Sequence, residues 1–284
     1  MTQKEALLTP NKLNWCPGCG NFGIWKAFSD AAVAEGWDNT NTVLTAGIGC
    51  HGHMINFVKL VSFEGLHGRP IPIASGIKMA NHRLNVFVFT GDGDCLAEGG
   101  NHFINAARRN QDITVILHDN AIYGLTTGQT SPRSPKGFTS KSTPSGNTDE
   151  PINPLRLALA AGATFLGRVY SGDPEATKEM IIKANKHKGF SLVQILQPCV
   201  TFNKDYTHPF YRENIYKLDD SYDKTSKEAA FAKTFEWGEK KIPVGIFYEA
   251  DEPTCESQIT QIKDKVLIDI PVKRDMSELI QKFR

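Results

Sequence analysis

Short apolar runs alternating with helical stretches between residues 42 and 199 predict an α/β fold. The expected core is a doubly wound, mostly parallel sheet, with an N-terminal cysteine arm before it and a C-terminal extension after it. Three observations carry this. Residues 84–90, Leu84-Asn85-Val86-Phe87-Val88-Phe89-Thr90, are apolar and β-branched or aromatic, as in a strand buried on both faces. An acidic glycine turn, Gly91-Asp92-Gly93-Asp94, follows, then a helical stretch at 96–110 and a second apolar run at 113–118, which makes a β-α-β unit. The same alternation recurs from 154 to 196.

Taken in order, residues 1–14 read as an arm leading to Trp15-Cys16-Pro17-Gly18-Cys19-Gly20. The Pro-Gly insert makes a tight Cys-x-x-Cys turn that aims two thiolates at one ion. Residues 23–36 read as a helix with Ile24, Phe28 and Ala31 on one face. Thr42-Val43-Leu44-Thr45-Ala46 reads as the first strand. It runs into Gly47-Ile48-Gly49-Cys50-His51-Gly52-His53, a glycine-rich loop with a third cysteine and two histidines. Residues 66–70 form a loop and 73–82 a small-residue helix suited to close packing.

After the central unit, 123–149 is rich in Gly, Ser, Thr and Pro and has almost no aliphatic periodicity. A loop this long is usually functional or mobile. It begins Gly124-Leu125-Thr126-Thr127-Gly128-Gln129, directly after Asn120, and reads as a cover over a cofactor; a disordered insertion is the other reading. Residues 154–161 read as a helix and 163–166 as a strand. Another helix covers 174–187, with Asp173 as N-cap ahead of Pro174. A last strand, 190–196, ends in Gln197-Pro198-Cys199. Beyond it, 201–223 holds four tyrosines, 226–237 reads as a helix, 242–248 as a strand, and 251–284 as a charged tail. The division is therefore an arm and first helix (1–40), a ligand-binding α/β domain (41–200) and an extension (201–284).

The chain has 284 residues, 40% hydrophobic and 22% charged, the ordinary balance of a globular protein. A net charge of +1 implies no nucleic-acid or anionic-membrane partner. No run approaches the ~18 apolar residues of a membrane span. The first residues lack the apolar core of a signal peptide, so a cytoplasmic location is expected. There, six cysteines argue for metal or redox chemistry rather than disulfides.

The turn at Gly91 has specific chemistry. Ligands of open α/β sheets sit at the carboxyl edge of the strands. Glycines let a diphosphate approach the backbone, and the helix that follows offers free N–H groups. Asp92 would repel a phosphate unless a cation bridged them. Mg²⁺ suits that role, since it takes hard oxygen ligands from a carboxylate or two plus substrate phosphates. Asn120 can add an amide oxygen and Ile122 a backbone carbonyl. Gly-Asp-Gly followed at this distance by Asn resembles the thiamine-diphosphate signature, which maps the metal ligands onto Asp92, Asn120 and Ile122. The other reading of the turn is an ordinary strand–turn–helix with a polar tip.

Cys16, Cys19, Cys50 and Cys199 are far apart in sequence. Cys50 and Cys199 each follow a strand's carboxyl end, the edge that also carries Asp92 and Asn120. Four thiolates around one point suit a [4Fe–4S] cluster or Zn²⁺. Buried cysteines acting as small apolar residues are the plain alternative.

The motifs taken together resemble one family. They are Cys16-Pro17-Gly18-Cys19-Gly20, Gly47-Ile48-Gly49-Cys50, His67-Gly68-Arg69, Gly91-Asp92-Gly93-Asp94, Gly99-Gly100-Asn101-His102, the 124–129 motif and Pro198-Cys199-Val200-Thr201-Phe202-Asn203. In this order, over about residues 12–215, they resemble the β subunit of the 2-oxoacid:ferredoxin oxidoreductases. The 124–129 motif is more similar to the broad-specificity and 2-oxoglutarate branch than to the pyruvate branch. Cys95 and Glu98 depart from the family's small or aliphatic residues, and Cys255 has no partner in the pattern.

The resemblance implies a thiamine-diphosphate-binding fold, with thiamine diphosphate and Mg²⁺ beside a [4Fe–4S] cluster held by Cys16, Cys19, Cys50 and Cys199. It implies cofactor contacts from Gly49, Cys50, His67, Gly91, Asp92, Gly93, Asp94, Asn120, Ile122, Gly124, Leu125 and Thr126. The implied reaction is oxidative decarboxylation of a 2-oxoacid with coenzyme A, the electrons leaving through the cluster to ferredoxin. His53 stands where some relatives carry a Lys thought to meet substrate, and is the candidate catalytic residue. The carboxylate that activates the cofactor's aminopyrimidine has no candidate here. In relatives it comes from a partner, an alpha or fused alpha/gamma subunit. Two rival readings remain: a non-redox thiamine-diphosphate decarboxylase or carboligase subunit, and a zinc-stabilised α/β binding module.

Overall fold

The computed structural model describes residues 3–239, 241–271 and 276–283. Of the charged tail at 251–284, positions 272–275 and 284 lie outside the described residues. Among the described residues no helix is long and apolar enough to cross a membrane.

One eight-stranded sheet organises the chain. Its strands are β1 (Thr42–Ala46), β2 (Val61–Glu64), β3 (Asn85–Gly91), β4 (Thr114–Asp119), β5 (Phe165–Tyr170), β6 (Ser191–Leu196), β7 (Ile215–Lys217) and β8 (Ile242–Glu249). Their order across the sheet is β2-β1-β3-β4-β6-β5-β8-β7. Every neighbouring pair is parallel except β5 and β8. The helices are α1 (Gln3–Leu7), α2 (Asn21–Glu35), α3 (Pro70–Ala80), α4 (Gly100–Arg108), α5 (Pro154–Ala161), α6 (Pro174–Lys186), α7 (His208–Asn214), α8 (Lys227–Lys233), α9 (Cys255–Gln258) and α10 (Ser277–Gln281).

The sheet is covered on both faces, and the alternation of side chains along each strand shows how. Phe87 and Phe89 of β3 point to the layer of α2 and α6, where Ile24, Phe28, Met180 and Ile181 are buried. Val86 and Val88 point to the opposite layer, with Ile71 of α3, Phe103 of α4 and Leu155 of α5. Phe28 sits edge-on to Phe87 and Phe89, with ring centroids 5.2 and 5.0 Å apart. Full burial of such a ring contributes ~1.5–3 kcal/mol. Two-sided burial is why these strands read as continuous apolar runs.

Two prolines open helices as their sequence context predicts. The Asp173 carboxylate accepts from Ala176 N at 3.1 Å ahead of Pro174, and Asn153 accepts from Arg156 N at 3.1 Å ahead of Pro154. Asp173 thus caps α6 as expected, and α5 has the expected limits.

Some elements differ from the sequence reading. β2 has no signature in the sequence: all four of its residues are exposed, on an edge strand whose pairing comes from β1. The helix expected at 96–110 begins instead as a π-helical turn, Asp94–Glu98, before α4. The strand expected at 163–166 runs Phe165–Tyr170, with its register set by β6. α7 and β7 carry no sequence signature either, being short and fixed by tertiary contacts. The extension after residue 200 completes the sheet through β8 and β7 and packs Tyr206, Tyr211 and Trp237 on it.

The arm is tied down. Lys59 N donates to the Leu7 carbonyl at 2.6 Å and Thr9 N to that of Phe57 at 3.3 Å. Trp15 packs edge-on against Phe22 and Phe57, and its ring N–H donates to the Cys50 carbonyl at 2.7 Å. These contacts carry Cys16 and Cys19 to the edge where β1, β3, β4 and β6 end.

Candidate functional site

The four cysteines singled out in the sequence line one cavity of about 220 Å³, together with Trp15, His53, Asn120, Gly124, Leu125, Gln197 and Phe202. Cys19 N donates to the Cys16 carbonyl at 2.9 Å, closing a turn in which Gly18 has φ +83°, a left-handed conformation suited to glycine. Gly20 N donates to the Pro198 carbonyl at 3.1 Å, which docks this turn beside Cys199. A Cβ placed on Gly124 would lie 3.6 Å from both the Cys50 and Cys199 sulfurs. Cys16 is exposed; Cys19 and Cys199 are buried.

Burial pushes the Cys19 thiol up to about 11, with Cys199 and Cys16 adding to it. Burial pushes Cys50 up to about 12, with Cys19, Cys199 and Cys16 adding to it. These thiols repel one another's ionisation and need a positive centre to become thiolates, which is what metal ligation supplies. Among the described residues no three His, Cys, Asp or Glu side chains already close on a single point; the thiols surround a volume instead.

A second cavity, of about 70 Å³, opens against the first. It is lined by Gly49, Cys50, His67, Gly91, Asp92, Gly93, Asp94, Asn120, Ile122 and Gly124-Leu125-Thr126. Every cofactor-contact residue expected from the sequence is in this lining. Cys50, Asn120, Gly124 and Leu125 border both cavities.

Asp92 is buried at the end of β3. Burial raises its carboxyl, and Asp119 close by raises it further. Asp119 is also buried, and its Oδ1 has no hydrogen-bond partner. Arg133 beside this pair is taken up by Asp119, its Nε donating to Oδ2 at 2.8 Å. The pocket is therefore short of positive charge at Asp92, and a divalent cation fits there. Asn120 N approaches Asp92 Oδ1 at 3.4 Å, and Asn120 Oδ1 accepts from Ile122 N at 3.0 Å. Ala121 between them is left-handed, at φ +55°.

Asp94 has a different position. Its oxygens accept from Thr90 Oγ1 at 2.6 Å, Gly68 N at 2.7 Å and Ile48 N at 3.3 Å, and Oδ1 lies 2.6 Å from His67 Nδ1. His51 Nε2 is 3.5 Å from Oδ2. One carboxylate thus joins the ends of β1 and β3 to the loop at 67–68. A Cβ on Gly47 would fall 1.9 Å from Asp94 Oδ2, so only glycine lets the β1 loop come this close. Burial alone would raise the Asp94 carboxyl; His51, Thr90 and the Gly68 N–H outweigh it and bring it down to about 2. A depressed carboxyl contributes stability that is present above about pH 4 and lost as pH falls toward about 2. Asp94→Ala is expected to destabilise the chain by about 3 kcal/mol near neutral pH. That difference should narrow below about pH 4. Urea unfolding at about pH 7 and about pH 3.5 checks it; an equal loss at both would contradict the assignment.

His67 is held by Asp94 and packs edge-on to Tyr123, ring centroids 6.0 Å apart. The Tyr123 hydroxyl donates to Glu98 at 3.1 Å. His53 lies in the 3-10 turn Gly52–Asn56, stacked 6.5 Å from Phe57, and lines the cysteine cavity rather than the Asp92 cavity. Cys95 is buried in the apolar layer with Ile71, Val86 and Phe103, apart from the other thiols, and Cys255 opens α9.

Several residues of the site have no motif of their own in the sequence. Ser131 donates a short hydrogen bond to Asp92 Oδ2. Gln197 Nε2 donates to Cys19 Sγ at 3.3 Å. His51 is buried against Gly49 and Gly91, its ring 6.0 Å from that of His118. Their neighbouring motifs, the glycine loop and Pro198-Cys199, are the only available pointers to His51 and Gln197; nothing points to Ser131.

Comparisons with known proteins agree with this geometry. Residues 45–195 match the family profile described as thiamine pyrophosphate enzyme, C-terminal TPP binding domain. Residues 199–264 match the profile for the C-terminal part of the pyruvate ferredoxin oxidoreductase beta subunit. The chain is 43% identical to the 2-oxoacid:ferredoxin oxidoreductase subunit beta of a Sulfolobus species, over 98% of this chain and 94% of that one. It is 42% identical to 2-oxoglutarate synthase subunit KorB of Archaeoglobus fulgidus, over 67% of this chain and 71% of that one. A solved 2-oxoglutarate:ferredoxin oxidoreductase from Magnetococcus marinus, with 2-oxoglutarate, coenzyme A and succinyl-CoA bound, superposes with a TM-score of 0.91. It is 35% identical and aligns with 100% of this chain and 96% of its own. A thiamine-diphosphate fold whose cofactor edge is ringed by four cysteines, and relatives matched over nearly the whole chain, lead to one assignment: the chain belongs to the beta subunits of the 2-oxoacid:ferredoxin oxidoreductases.

Proposed function

We propose that the chain binds thiamine diphosphate through a Mg²⁺ held by Asp92, Asn120 and the Ile122 carbonyl. Beside it, Cys16, Cys19, Cys50 and Cys199 would hold a [4Fe–4S] cluster. The assembled enzyme would convert a 2-oxoacid, 2-oxoglutarate and/or pyruvate, with coenzyme A to acyl-CoA and CO₂, passing the electrons to ferredoxin. The observation that carries this reading is the shared wall between the two cavities, built from Cys50, Asn120, Gly124 and Leu125. A cluster in the first cavity would then stand next to a cofactor in the second. A cavity of about 220 Å³ also suits a cluster better than one Zn²⁺, whose Zn–S bonds of ~2.3 Å would draw the sulfurs together. The names of the relatives and the molecules bound in the Magnetococcus marinus structure support the substrate class.

When bound, the thiamine cofactor supplies the electron sink for decarboxylation, and the cluster takes up single electrons. The chain's own residues bind and orient. Gly91 and Gly93 let the diphosphate reach the backbone, and Asp92 and Asn120 hold its counter-ion. Asp94 fixes His67 toward the cofactor cavity. Gly124 and Leu125 form the wall that would face the cluster. As the resemblance to the family implies, a partner alpha or fused alpha/gamma subunit would supply the carboxylate for the aminopyrimidine. The chain alone is then inactive.

The test is co-purification with the partner subunit, followed by a panel of 2-oxoacids with coenzyme A and a viologen dye. Dye reduction dependent on both the oxoacid and coenzyme A supports the proposal. CO₂ release without dye reduction would indicate a non-redox decarboxylase instead. A colourless, zinc-containing, inactive complex would indicate a binding module.

His53 is proposed to meet the substrate carboxylate, since a histidine donates a hydrogen bond in either protonation state. His53→Ala should raise KM for the oxoacid while leaving thiamine-diphosphate affinity and iron content near wild type. A larger effect on 2-oxoglutarate than on pyruvate assigns it to the distal carboxylate. Unchanged kinetics on both would remove it from the site.

A further inference from the structure

Ser131, Arg133 and Ser134 are buried within a long polar loop, and each side chain ends on a residue proposed to hold the cation or on one next to it in the chain. The Ser131 hydroxyl donates to Asp92 Oδ2. Arg133 Nε donates to Asp119 Oδ2 at 2.8 Å, and its Nη1 to the Ile152 carbonyl at 3.0 Å. The Ser134 hydroxyl donates to the Ala121 carbonyl at 2.7 Å. The segment is also closed on itself. Ser131 N donates to Ser134 Oγ at 2.9 Å, and Arg133 N to Ser131 Oγ at 3.2 Å.

We propose that Ser131 is a positioning residue for the cation: it ties down Asp92 Oδ2 and would leave Oδ1 available as the ligand. Ser134 and Arg133 hold the turn at 119–122 that carries the other two ligands. The proposal rests on the reading of Asp92 as the cation ligand.

Three physical points support it. A carboxylate's terminal torsion is broad, so an unrestrained Asp92 would present its oxygens in many orientations. The Arg133 N–H occupies a lone pair of Ser131 Oγ, which directs the hydroxyl proton toward Asp92. Oδ1 keeps free lone pairs, because its protein donor, Asn120 N, stands off at 3.4 Å. Ser134 acts one step along: Ala121 is left-handed at φ +55°, a conformation that a residue with a Cβ rarely adopts unsupported. The bond to its carbonyl holds that turn, and with it the orientation of the next carbonyl, Ile122.

The distinguishing consequence is cation selectivity. Mg²⁺ demands near-ideal octahedral geometry, whereas Ca²⁺ tolerates irregular sites. Loss of a device that only orients a ligand should therefore weaken Mg²⁺ more than Ca²⁺, whereas a merely structural lesion would weaken both alike.

The experiment uses the assembled complex stripped of cation and cofactor. Wild type, Ser131→Ala, Ser131→Thr and Asp92→Ala are titrated with Mg²⁺ or Ca²⁺ at saturating thiamine diphosphate, and cofactor binding is read by calorimetry. Ser131→Ala should raise the Mg²⁺ needed for half-saturation about 10–100-fold, as losses of ligand-orienting partners do. Its Ca²⁺ requirement should rise less, and Ser131→Thr, which keeps the hydroxyl, should stay near wild type. Asp92→Ala separates the two claims: normal cofactor binding in it would overturn the ligand reading itself. If Asp92→Ala loses binding while Ser131→Ala responds like wild type, or loses Mg²⁺ and Ca²⁺ equally, the positioning role is wrong. Should Ser131→Ala fail to assemble, Ser131→Cys, a weaker donor of similar shape, is titrated in the same way. It should show a smaller rise for Mg²⁺ alone, and an unchanged requirement overturns the proposal.

Discussion

Asp92→Ala is expected to abolish Mg²⁺-dependent binding of thiamine diphosphate by the assembled complex while leaving iron and sulfide at wild-type levels. The carboxylate is buried, its charge is opposed by Asp119, and Arg133 is already taken by Asp119. Without Asp92 the diphosphate would lose its bridge, and Asn120 with a backbone carbonyl would be left to hold a cation alone. The loss should exceed the ~10–100-fold typical of removing a partner that only orients a ligand. The cysteine cavity should be spared, because Asp92 lies in the wall of the other cavity only. Calorimetry of cofactor binding, with iron and sulfide analysis on the same samples, checks both halves. Unchanged affinity would remove Asp92 from the metal site.

Serine in place of Cys16, Cys19, Cys50 or Cys199 should lower iron content and electron transfer together. Serine in place of Cys95 or Cys255 should change neither. The separation follows from position. The first four thiols line one cavity, and burial and mutual repulsion hold Cys19 and Cys50 protonated until a metal centre offsets their charge. A serine oxygen is a hard ligand and a poor substitute for thiolate on iron. The effect should be largest at Cys50, whose residue borders both cavities. Cys95 lies in the apolar layer under β3 and α4, so Cys95→Ser should act on stability alone. Iron analysis and dye-reduction rates on the six variants provide the check. Bleaching by Cys95→Ser with retention in Cys199→Ser would show that the ligand set is wrong.

The fold is legible where two-sided burial writes continuous apolar runs into the chain, as at β1, β3, β4 and β6. It is not legible at β2, whose four exposed residues owe their strand to pairing with β1. It is equally silent at α7 and β7, which are short and placed by their neighbours. The site follows the same division. Glycine and cysteine motifs announce themselves because the backbone approach or the thiolate admits few substitutes. Asp92 and Asn120 can be named for the same reason, from spacing and family pattern. The hub formed by Asp94 cannot be read, because its partners Thr90, Gly68, Ile48 and His67 come from separate segments that only the fold brings together. Ser131 is the extreme case. One serine in a polar loop looks like any other until the loop folds under the strand ends and its hydroxyl meets Asp92.

The central claim is that one chain places a cluster in electron-transfer contact with thiamine diphosphate. The most direct measurement follows the visible absorbance of the anaerobically purified complex, loaded with Mg²⁺ and thiamine diphosphate, after addition of 2-oxoacid and coenzyme A without any external acceptor. The account predicts a brown protein with about four iron and four sulfide per chain in this site, partly bleached by substrate and recoloured by oxidised ferredoxin. A complex that binds thiamine diphosphate and releases CO₂, but contains no iron or keeps its colour through turnover, would contradict it.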